Sequence, residues 1–317
     1  MIFCMPFFLL SCFNSKVEEE TIDVSLDIYD YYFDPECYMH FTDENIGYLF
    51  TNPLCIYKTK DGGKTWKKEY SSDSFLINRH IVVNNILYGA VKSQLLSRYI
   101  QPFCYDFKTG LFYLSKDSLK TVSFIDFLDR KGKVSMLCES GNLNSIFFDD
   151  RIQIEYLNNK NRPIPNGMVM FNDLLYYCTC KNQIMVCDKD NYKEFSFPHE
   201  EDLYFIVPVD EKMLISTINK QKKEIRFYLY DKNVGSFTFL SKISGCSSCS
   251  NLRFVGNVLV VFVGWSYKPD IIYYSYDKGL TWQKYGSIRR PKLNCVYDNK
   301  LLIFQDKETL TKIEFKE

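Results

Sequence analysis

Leu252-Arg253-Phe254-Val255-Gly256-Asn257-Val258-Leu259-Val260-Val261 reads as an apolar run, a polar turn and a second apolar run. The same unit recurs at 39–50, 81–89, 125–137, 168–177, 206–215 and 295–304. From the turn at Asn45 to the turn at Asn299 is 254 residues over six intervals, about 42 residues each. A fixed period of this size is the signature of a repeat architecture. Four strands of five or six residues, with their turns, need about this length. No stretch sustains a 3.6-residue apolar period, so helices are not expected. The pattern predicts an all-β chain, a seven-bladed β-propeller with one blade per repeat. A six-bladed ring with one irregular insertion is the alternative.

Composition agrees. The chain has 317 residues, of which 46% are hydrophobic, so it can bury a sizeable core. The 26 Phe and 24 Tyr, against 14 Gly, favour strands. With 39 basic and 39 acidic residues the chain carries no electrostatic footprint for a phosphate backbone, and nucleic acid is not an expected partner. The three histidines, His40, His80 and His199, stand at no metal-ligand spacing, which excludes a zinc hydrolase of the His-Glu-x-x-His type. No metal and no cofactor are expected.

Two eight-residue stretches sharpen the fold. Thr59-Lys60-Asp61-Gly62-Gly63-Lys64-Thr65-Trp66 and Ser275-Tyr276-Asp277-Lys278-Gly279-Leu280-Thr281-Trp282 both fit Ser/Thr-x-Asp-x-Gly-x-Thr-Trp. Asp61 and Asp277 can accept hydrogen bonds from backbone N–H groups of their own turns. Gly63 and Gly279 supply a positive φ. Trp66 and Trp282 carry large apolar surfaces into the seams between blades. Ser115–Val122 reads as a decayed copy, with looser remnants around Asp188 (with Phe195) and Asp231 (with Phe237).

These stretches resemble the Asp-box of the BNR repeat, found in sialidases and related propellers. The resemblance covers residues 38–317 as a repeat pattern. It implies that the boxes sit at the turn between third and fourth strands, on the face opposite the ligand site, in a structural role. The tail Leu310–Phe315 is expected as the third strand of the last blade. The run Ile22–Ile28 would supply its fourth and close the ring.

At the N-terminus, residues 1–12 read as a signal segment. The apolar run is too short to span a bilayer, and Leu9-Leu10-Ser11-Cys12 resembles a bacterial lipobox with Cys12 as the acylated residue. Residues 13–21, with Glu18-Glu19-Glu20, read as a flexible acidic tether resembling the surface-export signal of Bacteroidetes-type lipoproteins, and residues 22–317 as the propeller. An apolar N-terminal strand is the alternative. The implied address is the outer membrane, at the cell surface, held by a lipid anchor only, as a monomer. Cys178 and Cys180 alternate along a strand-like run and read as core residues. Cys246-Ser-Ser-Cys249 reads as two thiols or a local disulfide.

Sialidase chemistry needs three arginines on the substrate carboxylate, a Tyr–Glu nucleophile pair and an Asp acid/base. Sialidases also begin with a Phe/Tyr-Arg-Ile-Pro motif. That motif is missing, the first arginine is Arg79, and Asn161-Arg162-Pro163-Ile164-Pro165 has the wrong order. No catalytic residue is assigned. Loops between successive blades should meet at one mouth of the channel. They bring Arg79, His80, Arg98, Glu139, Arg162, Trp265, Tyr267, Arg289 and Arg290 there, with His199-Glu200-Glu201-Asp202. Arginine with Trp and Tyr suits a glycan or a protein ligand. The primary reading is a non-catalytic, surface-anchored binding module. The alternatives are a diverged sialidase-like glycoside hydrolase and an assembly factor resembling the photosystem II assembly propeller.

Overall fold

The computed structural model describes residues 17–25, 37–93, 99–115, 119–120, 123–130, 133–139, 146–148, 152–157, 163–188, 191–264, 270–288, 293–304 and 308–316. The signal segment with Cys12 lies outside them, as do Arg98, Arg162, Trp265, Tyr267, Arg289 and Arg290.

Every predicted hairpin joins the first and second strands of a sheet. The turns explain why. Asn84 and Asn85 have φ of +52° and +61°, and Asn172 and Asp173 have +48° and +63°. These are two-residue turns of the left-handed kind, whose twist matches the strands they connect. Asp210, Gly256 and Asp298 take positive φ at the corresponding places.

Among the described residues the strands form seven hydrogen-bonded sheets. The first sheet is Tyr38–Phe41, Gly47–Thr51, Cys55–Thr59 and Lys67–Ser71. The fourth is Pro163–Phe171, Leu174–Thr179, Gln183–Asp188 and Asn191–Ser196; the fifth is Asp202–Val209, Lys212–Asn219, Glu224–Asp231 and Ser236–Ser244. The sixth is Ser248–Val255, Val258–Gly264, Asp270–Ser275 and Gln283–Ile288. All four are antiparallel meanders.

First strands lie against first strands: Tyr38–Phe41 beside Leu293–Tyr297, Phe75–Val83 beside Ser123–Arg130, and Pro163–Phe171 beside Asp202–Val209. They surround a centre, and the later strands of each sheet step outward. The seams are apolar. Tyr48, Phe50 and Ile56 of the first sheet pack on Leu87, Phe103 and Tyr105 of the second. Val260 and Phe262 of the sixth pack on Leu301 and Ile303 of the seventh. Met39, Phe41 and Trp66 close the circle against Leu302, Phe304 and Leu310. The fold is an all-β propeller.

Ring closure uses both ends of the chain. The seventh sheet runs Leu293–Tyr297, Lys300–Phe304, Thr309–Phe315, and then Val17–Asp23 antiparallel on its outer side. The closing strand therefore begins at Val17, and residues 17–21, expected in the tether, belong to the sheet. The acidic triplet has partners there. Glu18 meets Lys316 at 2.6 Å, Glu20 lies 3.9 Å from Lys312, and Glu19 accepts a hydrogen bond from Tyr285. A C-terminal strand with lysines on it turns what reads locally as a solvated run into a paired one.

Two sheets depart from the meander. In the second (Phe75–Val83, Ile86–Ser93, Tyr99–Asp106), the outer place is shared by Leu111–Leu114 and Leu119–Lys120. Its third-to-fourth turn is at Asp106–Gly110, not at Ser115–Val122, so the decayed box does not hold that position. In the third (Ser123–Arg130, Lys133–Glu139, Ile146–Phe148, Ile152–Leu157), the strand Ile152–Leu157 pairs parallel with Lys133–Glu139 and Ile146–Phe148 lies outside it. The longer alternating run takes the inner place.

Several first strands carry a bulge, between Ile77 and Arg79, Phe124 and Asp126, Leu203 and Phe205, and Cys249 and Asn251. A bulge leaves backbone groups outside the ladder. Asn52 answers the first: its Oδ1 accepts from Ile77 N at 2.6 Å and its Nδ2 donates to Ile77 O at 3.2 Å. Ser216 Oγ accepts from Phe205 N at the third. Cys178 is buried as expected, whereas Cys180 is exposed, because the strand ends at Thr179. Cys246 and Cys249 are free thiols, both buried in the seam between fifth and sixth sheets.

Candidate functional site at the channel

The two box stretches fold alike. Asp61 Oδ1 accepts from Thr59 Oγ1 (2.8 Å) and Thr65 N (2.9 Å), and its Oδ2 from Thr65 Oγ1 (2.5 Å). Asp277 takes the matching bonds from Ser275 (2.7 Å) and Thr281 (2.8 and 2.6 Å). Thr59 Oγ1 and Ser275 Oγ accept from Gly63 N and Gly279 N. Both turns link third and fourth strands. Gly63 has φ +98°, and a Cβ there would stand 2.5 Å from Leu310. Trp66 reaches Phe304 of the neighbouring sheet at 5.9 Å between ring centres, and Trp282 reaches Phe227 at 4.4 Å. These ten residues hold turns and seams together.

A simpler turn repeats elsewhere. In Asp106-Phe107-Lys108-Thr109-Gly110 and Asp231-Lys232-Asn233-Val234-Gly235 the Asp Oδ1 accepts from the N–H two residues on, at 2.8 and 3.0 Å. In each, the glycine N–H donates to the Asp carbonyl at 2.8 Å. The Asp-x-x-x-Gly spacing was its signal.

Of the residues expected at the channel mouth, Glu200 is exposed in the connection between the fourth and fifth sheets. Arg79 and His80 are not on a loop. They lie within Phe75–Val83, because only three residues separate that strand from Ser71 and its bulge falls just before Arg79. Glu139 ends the strand Lys133–Glu139 rather than opening a loop.

The acids beside Glu200 are committed. Glu201 is 3% exposed and accepts from Thr217 Oγ1 (2.6 Å), Tyr228 OH (3.1 Å) and Arg226 (2.5 Å). Burial pushes its carboxyl up, but Thr217, the Arg226 charge, Asn219 and Tyr228 together bring it below the usual range. Asp202 pairs with Lys220 at 2.5 Å.

The first strands bring a second polar group together, one that motif reading missed. Tyr38 lies against His80, ring centres 3.8 Å apart and the planes tilted by 43°, and its hydroxyl lies 3.4 Å from His40 Nδ1. Arg253, from the sixth sheet, is close enough to the seventh sheet's Cys295 and to Tyr38 for its charge to act on both. Its Nε donates to Asn251 Oδ1 at 2.9 Å, and Asn251 Nδ2 donates to Asn294 Oδ1 at 3.4 Å. Burial lowers His40 to about 4. Burial, with Arg79 and His40 adding to it, lowers His80 to about 3. Burial also depresses the Arg253 guanidinium and raises Cys295 to about 12. No carboxylate among the described residues pairs with Arg253.

No protein-family model matches the chain, and no curated protein matches it. Solved structures do. YCF48 bound to a D1 peptide superposes with a TM-score of 0.61 at 12% identity, over 94% of this chain and 95% of that one. YCF48 from Cyanidioschyzon merolae gives 0.59 at 11% identity, over 93% and 98%. The WD40 propeller domain of Doa1 gives 0.60 at 11% identity, over 92% and 96%. At such identities the likeness is one of fold, and it defines the chain as a β-propeller protein.

Proposed function

We propose that this propeller is a non-catalytic binding module that takes a protein or peptide ligand at the channel, at the mouth beside the Gly256–Asn257 turn, to which Arg253 lies nearer. The observation that carries this reading is Arg253: a half-buried guanidinium in the ring of first strands, held by Asn251 and facing no acid among the described residues. A cation partly withdrawn from water without a counter-charge is unfavourable, and a carboxylate on a ligand supplies that charge with two parallel hydrogen bonds. YCF48 bound to a D1 peptide is a neighbour of the same fold. The reading as an assembly factor is the form of this function that neighbour supports.

We read the seven sheets as seven blades, and the apolar seams running from one sheet to the next support it. The six-bladed alternative would require two of these sheets to act as one. The box geometry supports kinship with Asp-box propellers. Export and acylation at Cys12 rest on the lipobox-like Leu9-Leu10-Ser11-Cys12. From Cys12 to the closing strand at Val17 there is only a short reach, so an anchored propeller would sit close to the bilayer.

A glycoside hydrolase needs one carboxyl held protonated as acid beside a second carboxylate. Glu201, held ionised and hydrogen-bonded, does not serve. The test is the purified chain against a panel of sialylated and neutral glycans, with products read by mass spectrometry. No sugar release is expected. Release from any substrate overturns the reading.

A further inference from the structure

Two pairs of turns in this ring are twins, and each pair sets a polar tip against an apolar one. In the boxes at 59–66 and 275–282, the residue after the positive-φ glycine is Lys64 in the first sheet and Leu280 in the sixth. In the turns at 106–110 and 231–235, the residue before the glycine is Thr109 in the second sheet and Val234 in the fifth. The hydrogen bonds of the turn are the same within each pair. Lys64 and Thr109 are exposed, so the turn itself asks for nothing apolar at that place. Leu280 is nevertheless 56% exposed and Val234 75% exposed. They stand on adjacent sheets and contribute little to any seam.

Both tips belong to one surface with the channel mouth. Asp231, which opens the Val234 turn, pairs at 3.1 Å with Lys212, just past the first hairpin turn of the fifth sheet. Asp210, in that hairpin turn, pairs at 2.7 Å with Lys278, in the Leu280 turn. The Leu280 turn in turn lies over Leu259, since a Cβ on Gly279 would stand 3.5 Å from it. Leu259 follows the Gly256–Asn257 turn, and Arg253 precedes it. The surface therefore runs from Arg253 at the mouth, across the sixth sheet, to the outer turn of the fifth. The ions along it pair off with each other, which leaves Arg253 as its uncompensated charge and Leu280 and Val234 as its apolar points.

We propose that the occupant of the channel mouth is an extended peptide segment of a partner protein, which sets a carboxylate on Arg253 and runs outward over this rim, laying apolar side chains on Leu280 and Val234. The proposal rests on the reading of Arg253 given above and adds the footprint and the composition of the ligand. Covering an exposed apolar side chain removes it from water and adds affinity, while the charge pair fixes position and register. A peptide can carry an acid and apolar side chains on one extended chain, which is the combination this surface asks for.

Panning a random-peptide phage library on the full chain tests it. Enriched peptides are expected to carry an Asp or Glu together with Leu, Ile, Val, Met or Phe. The tightest of them, synthesised and titrated by fluorescence anisotropy, should lose affinity roughly tenfold in Leu280→Lys and by a smaller factor in Val234→Thr. Each change installs the residue of the twin turn, so the fold is kept. Replacing the acid of the peptide by its amide should weaken binding to the wild-type chain and not to Arg253→Met. The two readings fail separately. An acid-dependent peptide that binds Leu280→Lys and Val234→Thr as tightly as wild type overturns the rim and leaves the Arg253 reading standing. A peptide weakened by both rim changes but indifferent to Arg253→Met overturns the Arg253 reading and leaves the rim. No enrichment on the wild-type chain overturns both.

Discussion

Ile22 faces Leu310 across the strand pair that joins the two ends of the chain. Both are buried with Trp66 in the seam between the seventh and first sheets. One contact therefore connects the N-terminal strand, the C-terminal strand and the first box. Ile22→Ala removes apolar bulk from that junction and is expected to cost about 2–4 kcal/mol, as for other buried Ile-to-Ala changes. Urea unfolding measures it, and a loss below about 1 kcal/mol would show that closure does not depend on this strand.

The two boxes predict matched losses. Asp61→Ala frees Thr65 N and the hydroxyls of Thr59 and Thr65, and Asp277→Ala does the same in the sixth sheet. Each is expected to cost about 1–2 kcal/mol, the range for losing a capping acceptor. The two share no partner, so the double variant should lose about the sum. Unequal losses would mean that one box is ornamental.

Asn52 satisfies both backbone groups of Ile77 at a bulge. Asn52→Ala leaves a buried N–H and C=O unpaired, which should cost roughly 2–3 kcal/mol. Asn52→Asp keeps the acceptor and loses the donor, and is expected to fall between. Thermal unfolding of the pair reports the order, and the reverse order would contradict the geometry.

Stability should fall in mild acid. His40 and His80 are lowered to about 4 and about 3, chiefly by burial, from about 6.5 in the unfolded chain. Between those values the unfolded state binds more protons, so stability rises with pH there. It is fully present above about 6.5 and is lost toward pH 4 and then 3, by up to roughly 1.4 kcal/mol per pH unit for each histidine. The His40→Gln, His80→Gln double variant should flatten the profile between pH 6.5 and 5, where carboxylates contribute little. An unchanged slope in that variant would locate the titration elsewhere.

The hairpins were legible because two local signals coincide: apolar runs and turn residues such as Asn84-Asn85 that accept positive φ. The boxes were legible because eight positions, each with a physical task, repeat without a mismatch. What was missed depends on distant partners. Glu18 reads as a tether residue until Lys316, 298 residues away, is placed beside it. Arg79 and His80 read as loop residues because a bulge shifts the strand alternation around them. Tyr38 and Arg253 look like ordinary strand positions, and only the ring brings their sheets within reach of each other. The Asp106 turn lacks the Trp that made the full boxes conspicuous, whereas the Asp231 turn was legible as a loose remnant of the box.

The central claim is that a ligand is held at the channel through Arg253, at the mouth beside the Gly256–Asn257 turn. The most direct measurement is photo-cross-linking in cells making the full chain, with p-benzoylphenylalanine at position 200 or at position 280, where Leu280 is exposed on the opposite face. One discrete protein adduct is predicted from position 280 and none of the same mass from 200, and Arg253→Met, which should fold at least as stably, abolishes it. The same adduct from both positions, or an adduct indifferent to Arg253→Met, would contradict the account.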